Sequence, residues 1–140
     1  MIVKCIRNKR EDLSPELLKS YDNNVNAQEI YMEIGQYFFV FGISFREGVP
    51  WYFIEEDDTD GYPTPWHSGL FEVVESTMPS NWCFYTKSRH MDDNFIISKE
   101  WAENPLYEDL LEEESYAIKA FQEQKKIANN EIKKFLNLKR

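Results

Sequence analysis

Apolar residues along the first two thirds of the chain follow the two-residue period of β-strands. Residues 37–45 (YFFVFGISF) carry apolar side chains at every second position, and the intervening positions of the first half are apolar as well. Such a strand is covered on both faces, and Gly42 within it marks a bend. Further strand candidates are the apolar runs 2–6, 30–34, 51–54, 70–74, 82–86 and 95–97. We expect five to six short antiparallel strands from these runs.

Helical signals occur near both ends of the chain. Ser14 followed by Pro15 predicts the capped start of a short N-terminal helix. Asn104-Pro105 predicts the start of another helix, and a third is expected from about 115 to 136 because its apolar residues recur at helical spacing. The apolar face of this last helix is formed by Ala117, Ile118, Phe121, Ala128, Ile132 and Phe135.

These elements predict an α+β fold for the chain. We expect a curled antiparallel sheet or a small SH3-like open barrel, with a short N-terminal helix and two C-terminal helices. A length of 140 residues suits one domain, mainly β over residues 1–98 and helical over 99–140. The last helix either packs on the sheet or projects from it, and it is a candidate for pairing with a second copy of the chain as a homodimer.

Charge is distributed very unevenly along the sequence. Residues 11–114 hold 23 acidic and five basic side chains, whereas both ends are basic and the whole chain has a net charge of −9. An acidic body repels phosphate, so nucleic acid is not the expected partner, and a cationic protein is. Because the sequence has no run of about 18 apolar residues, no membrane partner is expected either.

The start of the chain mixes charged and apolar residues and lacks the apolar stretch of a signal peptide. We therefore expect a soluble, cytoplasmic protein in which Cys5 and Cys83 are reduced thiols.

The densest acidity lies in residues 55–61 (EEDDTDG), and it has three interpretations. Aligned as a calcium loop, the run fails because its closing carboxylate position falls on His67. As a solvated connection, it keeps the domain soluble. As a docking surface, it offers carboxylates beside aromatic residues to a basic cleft. The partner-binding residues predicted by this third interpretation are Glu55, Glu56, Asp57, Asp58, Asp60, Tyr62 and Trp66.

The four tryptophans are assigned different environments. Trp51 and Trp82 lie in strand patterns and are expected in the core. Trp66 stands between Pro65 and His67 in a predicted loop, which makes it the candidate for an exposed anchor. Trp101 is expected to cover the junction between the sheet and the helices.

Residues for catalysis or metal binding are scarce. His67 and Cys83 are the candidates for a base and a nucleophile, but a thiol within an aromatic strand is expected to fill space in the core. A zinc site would require Cys5, Cys83, His67 and His90 to converge. The sequence contains no phosphate-binding loop and no nucleophile elbow. We predict no catalytic residues, no metal and no cofactor, with an enzyme as the least favoured class.

Four segments together resemble a known group of proteins: 34–43 (IGQYFFVFGI), 51–54 (WYFI), 70–74 (LFEVV) and 79–82 (PSNW). Their order is similar to that in small acidic bacterial toxin-immunity proteins, including those that protect against contact-dependent growth-inhibition toxins. The resemblance spans residues 34–82 and implies a cytoplasmic inhibitor that binds the catalytic domain of a toxin. It transfers no catalytic residues.

The sequence therefore leads to a ranked set of functions. The first is a non-enzymatic immunity protein that neutralises a cationic, nuclease-type toxin. The alternative is a peptide- or protein-binding regulatory module built on an SH3-like sheet.

Overall fold

The computed structural model describes residues 1–24, 30–56, 61–88, 91–103 and 106–139. Within these ranges the strands are β1 (Ile2–Cys5), β2 (Tyr37–Phe39), β3 (Gly42–Arg46), β4 (Val49–Ile54), β5 (Thr64–His67), β6 (Phe71–Glu75), β7 (Trp82–Ser88) and β8 (Met91–Ser98). The α-helices are α1 (Pro15–Asn24), α2 (Lys99–Glu103), α3 (Leu106–Leu111) and α4 (Ser115–Leu138). Two short 3₁₀ turns cover Arg10–Asp12 and Ser68–Leu70.

The strands form two open antiparallel sheets. One has three strands in the order β2-β1-β6, and the other has five in the order β5-β4-β3-β8-β7. The α+β class and the antiparallel pairing are thus confirmed. The described strands outnumber the five to six expected, because the chain builds a second, small sheet from short segments around β1.

The long strand predicted over residues 37–45 is divided between the two sheets. Val40 N–H donates to Met1 O at 3.1 Å on the side of the small sheet, and the next residue, Phe41, donates to Phe53 O at 2.8 Å on the side of the large one. Gly42 then opens β3, and a Cβ there would lie 3.1 Å from Ile97 Cγ1. The chain therefore changes sheets between Val40 and Phe41, directly before Gly42, and β3 pairs without a bulge at Gly42.

The strand predicted over residues 30–34 is wrong. Residues 30–33 form no ladder, and the segment ends in a turn at Gly35, whose φ of +94° favours glycine. Met32 is buried, whereas Ile34, two residues further on, is exposed. The alternating apolar residues of this segment therefore do not share one buried face. Alternation alone could not distinguish this extended segment from a strand.

The N-terminal helix begins as expected. Leu17 N–H donates to Ser14 Oγ at 3.4 Å, and Pro15 is the first helical residue. The predicted Asn104-Pro105 cap lies outside the described residues. Helix α2 was missed, because its five residues are too few to show a period.

The buried apolar residues form two clusters. The first joins the small sheet and α1 to β3–β5 through residues such as Val3, Tyr21 and Trp51. The second joins the large sheet to the C-terminal helices through residues such as Phe53 and Phe121. Helix α4 packs on this second cluster instead of projecting, with Ala117, Phe121 and Ala128 buried.

Candidate binding groove

A groove of about 410 Å³ lies between helix α4, the edge strand β2 of the small sheet and the end of β4 in the large sheet. Its floor is aromatic and its rim carries carboxylate, amide and ammonium groups. The lining residues are Gln36, Tyr37, Phe38, Phe39, Phe41, Glu55, Glu56, Lys125, Ala128, Asn129 and Ile132. We call this surface the Glu55 groove.

The polar wall of the groove is built where β4 ends. Glu55 follows Ile54, the last residue of β4, and its carboxylate lies 2.8 Å from Lys125 Nζ on α4. The two side chains are only 6% and 16% exposed. A charge pair held away from water is a strong geometric constraint, since removing either partner leaves the other charge poorly solvated. The pair therefore ties α4 to the end of β4.

The other residues of the predicted docking run differ in their position relative to this groove. Glu56 is partly buried and lines the wall beside Glu55. Asp57, Asp58 and Asp60 lie outside the described residues. Tyr62 is 36% exposed, and Tyr107 of α3 donates its hydroxyl to Pro63 O at 2.9 Å. Burial raises the pKa of that Tyr107 hydroxyl to about 12, so it remains a hydrogen-bond donor at neutral pH.

The exposure expected for Trp66 is wrong. Trp66 is completely buried in β5, opposite Tyr52 of β4, and its indole N–H donates to Thr64 Oγ1 at 3.0 Å. The neighbouring prolines suggested a loop, yet β5 is the edge strand of the large sheet, where Pro65 can pair without a ladder N–H. Trp66 therefore stabilises the core and does not present an anchor to a partner.

The environments expected for the other tryptophans match the structure more closely. Trp51 is 1% exposed, as predicted, and Trp82 is partly buried against the first cluster. Trp101, at the sheet-to-helix junction, is buried and stacks on Tyr107 with ring centroids 5.6 Å apart.

His67 is also buried, and both of its ring nitrogens are occupied. Nδ1 accepts the Gly69 N–H at 2.9 Å, so Nε2 carries the proton and donates to Ser20 Oγ at 3.2 Å. The ring contacts Trp51 edge-on at a centroid distance of 5.1 Å. Burial lowers the pKa of His67 below its usual 6.5, which keeps the imidazole neutral. This histidine holds α1 and the 3₁₀ turn against β5.

His67 and Cys83 do not form a base–nucleophile pair. They lie on β5 and β7, the opposite edge strands of the large sheet, with three strands between them. Four inter-strand steps amount to roughly 19 Å, far beyond hydrogen-bond reach. Cys83 Sγ instead donates to Ile97 O at 3.6 Å.

The remaining candidates for metal or thiol chemistry are similarly dispersed. Cys5 is buried in the small sheet, and burial raises the pKa of its thiol. Across the described parts of the chain, no three His, Cys, Asp or Glu residues come together as a metal site. His90 and most of the acidic run used in the calcium alignment lie outside those parts. No helix among the described residues has the length and apolar character needed to cross a membrane.

Sequence reasoning missed the residues that complete the groove, above all Lys125 and Tyr37. Tyr37 accepts a hydrogen bond from Lys139 Nζ at 3.0 Å, which lowers the pKa of its hydroxyl, and Phe135 contacts its ring edge-on. One signal was available: Lys125 lies four residues after Phe121 and three before Ala128, so it interrupts the apolar face of α4. A lysine within the buried face of a helix predicts a buried acidic side chain beside it.

The arrangement can recognise a positive group without performing covalent chemistry. Glu55 and Glu56 provide acceptor oxygens, Gln36 and Asn129 provide amides, and the aromatic floor provides π faces for a cation. No protein-family model, curated protein or solved structure gives a significant match to this chain. The groove must therefore be interpreted from its own geometry.

Proposed function

We propose that this protein is a non-enzymatic immunity protein that binds and neutralises a cationic, nuclease-type bacterial toxin in the cytoplasm. The observation that carries the proposal is the Glu55 groove, where two carboxylates line an aromatic cavity directly before the acidic residues 57–60. The net charge of −9 adds long-range attraction for a basic partner. The resemblance over residues 34–82 supports the same class.

The mechanism is competition for a basic site. A nuclease binds phosphates through Arg and Lys side chains, and carboxylates on an inhibitor can replace those phosphates. Glu56 and the acidic residues that follow would contact these cations, while the Glu55–Lys125 pair holds the wall in position. Tyr37 and Phe39 would supply apolar contact area. Trp66 has no part in this contact because it is buried.

Binding to the product of the neighbouring gene tests the proposal. The purified proteins are mixed at low and high salt, and the affinity is measured by calorimetry. We expect the association to weaken with salt and cells expressing the toxin to be rescued. Neutralising Glu56, Asp57, Asp58 and Asp60 together should reduce affinity by at least about tenfold.

The matched control also neutralises four carboxylates, all of them exposed and elsewhere on the chain: Glu11→Gln, Glu112→Gln, Glu113→Gln and Glu123→Gln. These changes alter the net charge while leaving the groove intact, so they should have a smaller effect on affinity. Equal losses of affinity from both sets of substitutions would show that net charge alone accounts for the effect. An unchanged affinity after neutralising the groove set would remove the groove from the mechanism.

The aromatic floor also supports a second function, a peptide- or protein-binding regulatory module with an SH3-like sheet. Tyr37, Phe39 and Phe41 lie beside open antiparallel strands, the setting in which extended peptides bind. Binding of proline-rich peptides, with no rescue of toxin-expressing cells, would favour this alternative.

A further inference from the structure

Helix α4 carries an exposed row of residues on the flank opposite the Glu55 groove. Ile127, Glu131, Lys134 and Leu138 follow one another at intervals of four, three and four residues, so they lie on one side of the helix. Ile127 and Leu138 are 60% and 80% exposed, a high degree of exposure for large apolar side chains. We call these four residues the helix row.

The row borders a second groove, of about 450 Å³. The far wall is formed by Met78 and Pro79, which follow β6, and Met1 and Phe39 also line the space. Met78 is itself 43% exposed. The groove thus has an apolar base, with charged groups from α4 at one rim.

The apolar and charged residues of the helix row are arranged so that the row is complementary to a second copy running in the opposite direction. If a second α4 runs antiparallel about a twofold axis near residues 132–133, Ile127 faces Leu138 and Glu131 faces Lys134. The symmetry repeats both contacts, so two apolar pairs enclose two opposite-charge pairs. A parallel arrangement would instead place Glu131 against Glu131 and Lys134 against Lys134.

We propose that this face binds a second copy of the same chain, with the helix rows antiparallel and the apolar groove beside each row receiving the partner helix. The alternation of charge argues for this occupant. A uniformly cationic partner is repelled by Lys134 and a uniformly anionic one by Glu131, whereas a second copy offers each of them a side chain of opposite charge.

The proposed dimer uses a different flank of α4 from the one that lines the toxin-binding surface. The Glu55 groove uses Lys125, Ala128, Asn129 and Ile132 of α4, whereas the second groove uses Ile127, Glu131, Lys134, Phe135 and Leu138. Phe39 lines both grooves, so the test variants avoid it. Because the helix-row variants change no residue of the Glu55 groove, a failure of self-association and a failure of toxin binding are distinguishable.

Charge reversal tests both the surface and the direction of the helices. The full chain is studied by sedimentation velocity over a series of concentrations. Glu131→Lys alone and Lys134→Glu alone should each weaken dimerisation by about tenfold or more, because symmetry converts two attractive contacts into two repulsive ones. The double variant E131K/K134E exchanges the charges and should restore the wild-type dissociation constant.

Matched controls lie on the same helix. Lys133→Glu makes the same charge change one residue away from Lys134, on a different face, and Glu123→Lys makes it beyond the end of the row. Both should dimerise like the wild type. Ile127→Asp should abolish the dimer, and its circular dichroism should be unchanged because the residue is exposed.

Three results would overturn the proposal. The first is a wild-type chain that remains monomeric at every concentration. The second is a dimer that tolerates Ile127→Asp, which would place the interface elsewhere. The third is a dimer that the single reversals weaken but the double variant does not restore, which would exclude the antiparallel register.

Discussion

Two polar sites lie inside this molecule, and they differ in what surrounds them. The His67 neighbourhood (Ser20, Tyr21, Trp51 and His67) is closed, with both imidazole nitrogens occupied by groups of the chain itself. The Glu55 groove is open, and its charged pair borders a cavity of about 410 Å³. Histidine and tryptophan suggest chemistry, yet here they fill the core, while a glutamate and a lysine border the accessible space.

The difference shows that residue type is a poor guide to function until burial is known. A buried polar group with all its partners in the same chain has nothing left to offer a ligand. A charged pair at the edge of a cavity keeps donors and acceptors within reach of one. The predictions that follow test this contrast from the largest expected effect to the smallest.

Replacing Trp66 with alanine should cause the largest loss. The side chain is completely buried, and large aromatic-to-alanine changes in a core cost about 3–5 kcal/mol in free energy of unfolding. Urea denaturation monitored by circular dichroism measures this loss. Trp82→Ala is the control and should cost less, since Trp82 is partly exposed. Equal losses would show that Trp66 is less tightly packed than its burial implies.

The Glu55–Lys125 pair should show strong coupling. A double-mutant cycle with Glu55→Gln, Lys125→Met and the double variant should give an interaction free energy of about 1–3 kcal/mol, because each single change strands a largely buried charge. The measurement is again urea denaturation of the four proteins. Additive effects would mean that the pair does not secure α4 to the sheet.

His67 should make stability depend on pH. Its folded-state pKa is lowered by burial, so below about pH 6.5 the unfolded chain binds a proton that the folded chain does not. The free energy of unfolding should therefore fall with decreasing pH, by at most about 1.4 kcal/mol per pH unit, until the lowered pKa is reached. His67→Gln should remove this slope, and His90→Gln serves as the histidine control. If both variants keep it, another group is responsible.

The smallest effect is expected at the exposed rim of the groove. The Lys139 ammonium lowers the pKa of Tyr37 mainly through its hydrogen bond to the hydroxyl. Lys139→Met should raise that pKa toward the usual value of 10.0, with little change in stability because the contact is in solvent. Titration of the tyrosine ring carbons by NMR detects the shift. Lys133→Met, elsewhere on α4, should leave Tyr37 unaltered.

Local sequence patterns correctly predicted much of the secondary structure. Ser14-Pro15 specified the start of α1, apolar spacing specified α4, and short apolar runs specified strands at β4 and β6. These signals are local: a cap, a proline at the first turn, an apolar run and a helical period act within a few residues. The change of sheet between Val40 and Phe41 was not predictable, because it depends on pairing with distant strands.

The candidate site depended on contacts between distant residues. Glu55 was identified from its acidic neighbours, but its partner Lys125 lies 70 positions away and could be located only once α4 packed on the sheet. Trp66 was misplaced because flanking prolines are as compatible with an edge strand as with a loop. By itself the sequence determined most of the helices and strands, the charge and the acidic run, since these depend on neighbouring residues. Tertiary packing alone decided which of those side chains reach solvent, because burial depends on segments far apart in the chain.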